Sequence, residues 1–292
     1  MEPIKIDLLT FDIGAGADSP GAYAAMITKL VSQSWDEGAE VVLLPEFAWL
    51  GLERFVEGEN KLAEVATLFW LKLWPDVQKQ LSHSSKVCVL GTAPCMMSDG
   101  TMRNRAPILC EGRSLYQDKI NLTPWETGFT GGDSIELFEY KGLKMAVIIC
   151  LDIEVPELSV ALRQQEVDVI LVPSATESAM GLERVGRCAS ARAVELGCYV
   201  GVAHLVGMAE SELVDENVGR LAWFTPSQSS FRRAPRENIS EHYHSGFHCQ
   251  RQELDLNLLL RMRRMNMETN PSQLNPRLPL IKIIASAKSQ GT

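Results

Sequence analysis

Runs of consecutive apolar residues recur along the chain, and many stop abruptly at a polar or charged residue. Met145–Ile149 is the plainest case: an unbroken, β-branched-rich run ends at Cys150, and an acidic segment and Pro156 follow. A run of that length without alternation reads as a strand buried on both faces. Val41–Leu44 ends the same way in Pro45-Glu46, and Val167–Val172 in Pro173-Ser174-Ala175-Thr176-Glu177. Ile4–Ile13, Lys86–Ala93, Cys198–Val206 and Leu221–Phe224 are further strands on this pattern. Asn104–Cys110 and Ser114–Lys119 flank Glu111-Gly112, and Ser134–Tyr140 and Leu143–Ile149 flank Lys141-Gly142, so each pair predicts a hairpin.

Helical spacing fills the intervals. Ser19-Pro20 supplies an N-cap and a first-turn proline, Tyr23, Met26, Ile27, Leu30 and Val31 keep a helical stripe, and Gly38 marks the stop. Asn60–Gln80 predicts one or two helices, because Pro75 must kink or interrupt the pattern. Gly181–Leu196 predicts another, stopped by Gly197. Leu254–Leu260 suits a strand or a helical turn, and residues 261–292 suggest an extended C-terminal arm. With no repeat and no linker, the 292 residues are expected to form one α/β domain.

Composition narrows the function. A charged fraction of 22% and an apolar fraction of 46% suit a soluble globular protein, and a net charge of −9 argues against a nucleic-acid partner. No apolar run approaches a membrane span, and Met1-Glu2-Pro3-Ile4-Lys5 lacks a signal core, so a cytoplasmic location is expected. Seven cysteines, most in or beside apolar runs, suit reduced thiols better than disulfides. Gly14-Ala15-Gly16-Ala17 lacks the third glycine of a dinucleotide loop, and His242, His244, His248 and Cys249 lack the paired spacing of a structural zinc site. No cofactor and no metal are expected.

Chemistry concentrates where strands end. Taken alone, Cys150 reads as a small core hydrophobe, Glu46 as a solvated loop acid and Lys119 as a surface lysine. Together they form a chemical set. A thiol needs a base to become a nucleophile, and a carboxylate held among apolar neighbours such as Phe47, Ala48 and Trp49 can serve. A fixed ammonium can stabilise the oxyanion that follows thiolate attack on a carbonyl, aided by the backbone N–H after the nucleophile. A Cys–His pair has less support, since His204 is the one histidine at a strand end outside the C-terminal loop.

The ordered set Leu44-Pro45-Glu46, Tyr116-Gln117-Asp118-Lys119 with Pro124 and Glu126, and Ile149-Cys150-Leu151-Asp152 with Pro156-Glu157 resembles the nitrilase superfamily of carbon–nitrogen hydrolases. Leu171–Ala175, Ala191–Glu195 and Thr225-Pro226-Ser227 support the resemblance in order, from about Ile4 to about Leu260. The resemblance implies a four-layer α-β-β-α sandwich, usually paired as a homodimer. It implies Glu46 as general base, Lys119 as oxyanion residue, Cys150 as nucleophile and Glu126 as an additional acid, with hydrolysis through a thioester.

Asp152 places the sequence beside the amidase-type and carbamoylase-type members, whereas nitrilases generally carry Trp-Glu directly after the cysteine. Leu151, Glu154 and Val155 depart from common family residues and leave the substrate open. Trp125, Leu151, Thr176 and Trp49 are the candidate substrate-binding residues. Glu154 and Glu177 either select a cationic substrate or are solvated or paired with an arginine. The expected activity is C–N hydrolysis of a small amide or N-carbamoyl compound. A small nitrile as substrate, or a silent scaffold role, are the alternatives.

Overall fold

The computed structural model describes residues 3–83 and 85–265. Its first half comprises β1 (Ile4–Leu9), β2 (Phe11–Asp12), α1 (Pro20–Asp36), β3 (Val41–Leu44), α2 (Lys61–Thr67), α3 (Trp74–Leu81), β4 (Val87–Leu90), β5 (Ala93–Met96), β6 (Met102–Cys110) and β7 (Arg113–Asp118). The second comprises β8 (Leu137–Tyr140), β9 (Leu143–Val147), α4 (Pro156–Arg163), β10 (Val169–Ser174), α5 (Ala179–Leu196), β11 (Tyr199–Met208), β12 (Glu216–Asn217), β13 (Leu221–Phe224), β14 (Glu237–Ile239), β15 (Cys249–Leu254) and α6 (Leu256–Arg264).

Two mixed sheets result. One has the order β15-β1-β3-β4-β6-β5, with β7 pairing β6, and its centre β1, β3 and β4 is parallel. The other runs β14-β13-β11-β10-β9-β8 around a parallel centre of β9, β10 and β11. Ile6, Leu8, Val41, Leu43, Val87 and Val89 share one core with Val147, Leu171 and Val202 of the opposite sheet. The alternate residues Leu9, Val42, Leu44 and Leu90 pack with Ile27, Val31 and Val77 of α1 and α3. Both faces are therefore apolar, which is why the central strands read as continuous runs. Helix α5 lies against β11 and β13 and completes an α-β-β-α order.

Local signals explain the element ends. The Ser19 hydroxyl accepts from Ala22 N with Pro20 in the first turn, as the sequence predicts. Helix α5 starts slightly earlier than its periodicity suggests, because Ser178 caps it, and it ends on Gly197 at φ 57°. Between Asn60 and Leu81 the chain forms α2, a π-helical turn at Leu68–Leu73 and α3, so the helix runs on through Pro75, with the π turn just before it.

Three expectations change. Ile4–Ile13 is not one strand: after Thr10, which bonds Gly246 and His248, Phe11–Asp12 joins the other sheet beside Leu205–Val206. The strand ending at Val172 continues to Ser174, since Pro173 is paired on the β11 side only. Leu254–Leu260 splits into the end of β15 and the start of α6, whose N-cap is Asp255. Of the expected arm over 261–292, residues 266–292 lie outside the described residues. Among the described residues, no helix is long and apolar enough to cross a membrane.

Candidate active site

Cys150 follows the buried end of β9 and opens a single 3-10 turn, Cys150–Glu154. Its φ is 47°, a left-handed conformation that costs a non-glycine residue on the order of 1–3 kcal/mol and clusters at functional sites. The turn aims Sγ into a cavity of about 170 Å³. Ser174 Oγ donates to Sγ at 3.3 Å, and Sγ itself donates to Ala175 O at 3.5 Å. Burial, reinforced by the negative charge of Glu46, pushes the thiol up to about 12, so it rests protonated.

Glu46 and Lys119 approach from the other sheet. Lys119, just past β7, is fixed through its backbone N–H to Asn104 O at 2.9 Å. Its ammonium lies 2.8 Å from Glu46 Oε1 and 2.7 Å from Glu126 Oε2. Burial alone would strip its proton, but the charges of Glu46 and Glu126 outweigh burial and hold its pKa above the ordinary lysine value. Burial drives Glu46 from 4.5 to about 7; Lys119 pulls it down and Glu126 pushes it up. The main-chain N–H of Ala175 donates to Glu46 Oε2 at 3.2 Å, so the strand that carries Ser174 also orients the acid. Glu126 is held by Thr123, whose backbone N–H and hydroxyl both donate to Oε2 at 2.8 Å.

The site therefore pairs a reluctant thiol with a carboxylate that titrates near neutrality and a locked cation. Such a set can move a proton off sulfur as a bond forms to carbon, and can stabilise negative charge on an adjacent oxygen. The family model for carbon-nitrogen hydrolases matches residues 19–230, more than half of the chain. The chain belongs to that family.

Relatives of this carbon–nitrogen hydrolase agree. A probable hydrolase of Bacillus subtilis is 27% identical over 221 residues, which cover 72% of this chain and 42% of that protein; this chain thus spans less than half of that relative's length. An (R)-stereoselective amidase of a Pseudomonas species is 28% identical over 214 residues, covering 72% of this chain and 74% of the other. The fold is that of the nitrilase superfamily. Nit3 of Saccharomyces cerevisiae, a member of branch 10 of that superfamily, superposes with a TM-score of 0.66 at 18% identity, covering 90% of this chain and 94% of its own.

Among the other sequence candidates, the carbon–nitrogen hydrolase cavity is lined by Trp125, Leu151 and Thr176. Trp49 is not in its wall. It is fully buried in the core between the first sheet and its helices, 4.4 Å from the Phe69 ring centre, with Nε1 donating to Leu90 O. The turn after Glu46 swings it inward, and Phe47 lines the cavity instead. Glu154 lines the cavity but is paired with Arg184 at 3.1 Å, and Glu177 is exposed at the mouth.

Asp152, read from sequence as a marker of substrate class, braces the site. Its carboxylate accepts from the backbone N–H groups of Ile120 and Asn121, at 3.0 and 2.7 Å, and from Asn121 Nδ2. The turn that carries Cys150 is thus tied to the residues right after Lys119. His204 is buried, its Nδ1 donates to Arg220 O at 2.8 Å, and burial lowers it to about 4, so it stays neutral and apart from the cavity. His248 stacks on Tyr243 at 3.8 Å.

The sequence assigned no site role to Asn104, Thr123 or Ser174. Ser174 could have been suspected, since it ends a buried strand as Cys150 does. Asn104 shows its one signal as an amide side chain inside an otherwise apolar-facing strand.

Proposed function

We propose that this hydrolase cleaves the C–N bond of a small non-peptide amide or N-carbamoyl compound through a Cys150 thioester. The observation that carries the reading is the Lys119 ammonium clamped between two buried carboxylates beside a left-handed cysteine that faces a cavity. Cys150 Sγ attacks the carbonyl carbon while its proton passes to Glu46. The electron pair displaced from the C=O bond is stabilised by Lys119 and by the N–H of Leu151. Collapse breaks the C–N bond, and Glu46 gives its proton to the departing amine or ammonia. Water then attacks the thioester, Glu46 takes the water proton, the acid leaves, and the proton returns to sulfur. No cofactor enters these steps. Because the thiol rests near 12 and Glu46 near 7, deprotonation is coupled to attack rather than completed beforehand.

Cavity size supports a compact substrate. Glu154 is neutralised by Arg184, whereas Glu177 has no ion-pair partner among the described residues, and Trp125 is 60% exposed. An adjoining hollow of about 580 Å³ shares Trp125 and Leu213 and carries Glu53, Glu59, Glu210 and Glu212 against Lys61. These groups support an uncharged or cationic tail over an anionic one. The reading includes a homodimer in the cytoplasm, with the exposed Val160 and Met180 of α4 and α5 as candidate contact residues.

Ammonia release over a panel of cationic, neutral and anionic amides, ureides and nitriles tests the reading, with Cys150→Ala as control. Turnover of amides that disappears in Cys150→Ala, with an acyl adduct on Cys150 by mass spectrometry, is the expected result. Activity surviving the substitution overturns the mechanism, turnover confined to nitriles overturns the substrate class, and an inert protein favours a binding role.

A further inference from the structure

Asn104 lies in β6 with its side chain fully buried. Its Nδ2 donates to Glu46 Oε1 at 2.9 Å and to Glu126 Oε1 at 3.3 Å, and its backbone carbonyl accepts from Lys119 N at 2.9 Å. One residue thus touches every charged member of the Glu46–Lys119–Glu126 set. Among the described residues, Asn104 is the only hydrogen-bond donor to Glu126 Oε1, and no other side chain besides Lys119 links the two acids.

Chemistry fixes the amide's orientation: turned over, it would aim its oxygen at two carboxylates. As it stands, both N–H bonds are used and Oδ1 is buried without a partner. Both of its donors are thus spent on the two acids, and the charges explain why. Glu46 and Glu126 bring two negative charges to one ammonium, and all three side chains are almost wholly buried. A neutral double donor favours the ionised carboxylates without adding a second cation that would compete with Lys119 for the oxyanion.

We propose that Asn104 is a positioning residue that spaces Glu46 and Glu126 on Lys119 and holds Glu46 ready to accept the Cys150 proton. The proposal rests on Glu46 being the base. Asn104→Leu removes both donors and keeps the side-chain outline; Asn104→Asp keeps the shape the site already fits and adds a negative charge. Two readouts are followed against pH: alkylation of Cys150 by iodoacetamide, monitored by mass spectrometry, and turnover of the best amide.

In the native protein both should show an acid limb. In either folded variant that limb should move up by about one pH unit, cutting the rate about tenfold on the acid side while the rate at high pH recovers to within a few-fold. A variant that folds, by its circular dichroism and melting, with the limb unmoved, or with equal loss at every pH, overturns the proposal. Failure of both variants to fold also overturns it, because the residue would then be structural. A native protein with no acid limb refutes Glu46 as the base instead, which keeps the two failures apart.

Discussion

Lys119 Nζ lies 2.8 Å from Glu46 Oε1, and each side chain is 1% exposed. Neither charge has water to fall back on, so the pair stands or falls together. Removing one partner of a buried pair costs about 3–5 kcal/mol, because it leaves the other charge uncompensated. Lys119→Met should lose stability of that order in urea unfolding at pH 8. The deficit should shrink toward pH 5.5, where the stranded Glu46 takes up a proton. An equal deficit at both pH values would contradict the assignment of charge.

On the proposed mechanism, Glu46 sets the acid side of the pH profile. It must be ionised to accept the thiol proton, and burial raises it to about 7. The pH dependence of kcat/KM should therefore rise through an acid limb near neutrality, above the usual carboxylate range. The same raised value has a stability consequence of definite sign. The folded protein holds this proton up to about 7 and the unfolded chain only to 4.5, so between those values the folded state binds more protons. Stability from this group is greatest below that window and falls as pH rises through it. Glu46→Gln should flatten that slope in unfolding titrations between pH 4.5 and 7.5.

Asp152 ties the cysteine turn to the lysine loop, and its loss should separate the two. Asp152→Ala leaves the part-buried N–H groups of Ile120 and Asn121 without this acceptor, at about 1 kcal/mol each. Melting should drop accordingly. Turnover should fall through kcat more than through KM, since Lys119 moves while the cavity wall does not. A variant with an unaltered kcat would show that the brace is dispensable.

Two tryptophans near the site in sequence should behave oppositely. Trp49→Ala empties a fully buried position and should cost about 3–5 kcal/mol. Trp125→Ala removes a 60% exposed wall residue and should leave melting nearly unchanged while raising KM for amides several-fold. Thermal melts and steady-state kinetics on both variants separate the cases.

That contrast also marks how far the sequence carried the reading. Strand ends were legible at Glu46 and Cys150 because an apolar run that stops at a polar group is a simple signal, and at Lys119 because Glu111-Gly112 marked the hairpin whose second strand it ends. Ser19-Pro20 and Gly197 were legible because caps and left-handed stops use few residue types. Trp49 was not, because adjacency to Glu46 says nothing about a turn that rotates the next side chains into the core. The left-handed backbone at Cys150 had no glycine to announce it. Asn104 sat within a recognised strand, and its two bonds reach residues distant in sequence, which a one-dimensional pattern cannot pair. The break at Thr10 was hidden because both pieces are apolar, although they serve different sheets.

The pairing of β1 with β15 has a consequence for how the chain can be handled. Ile4 faces Leu254 across that ladder, while Phe11 has already crossed to the other sheet beside Leu205. The ends of the described chain are thus clasped around each other, and no cut between them yields two self-sufficient halves. A chain trimmed at residue 230, where the family match stops, would bare the hydrogen-bonding edge of β1 and invite association between copies. Synthesis must also pass residue 254 before the first strand acquires this neighbour, so the β1–β15 ladder should form late and slowly.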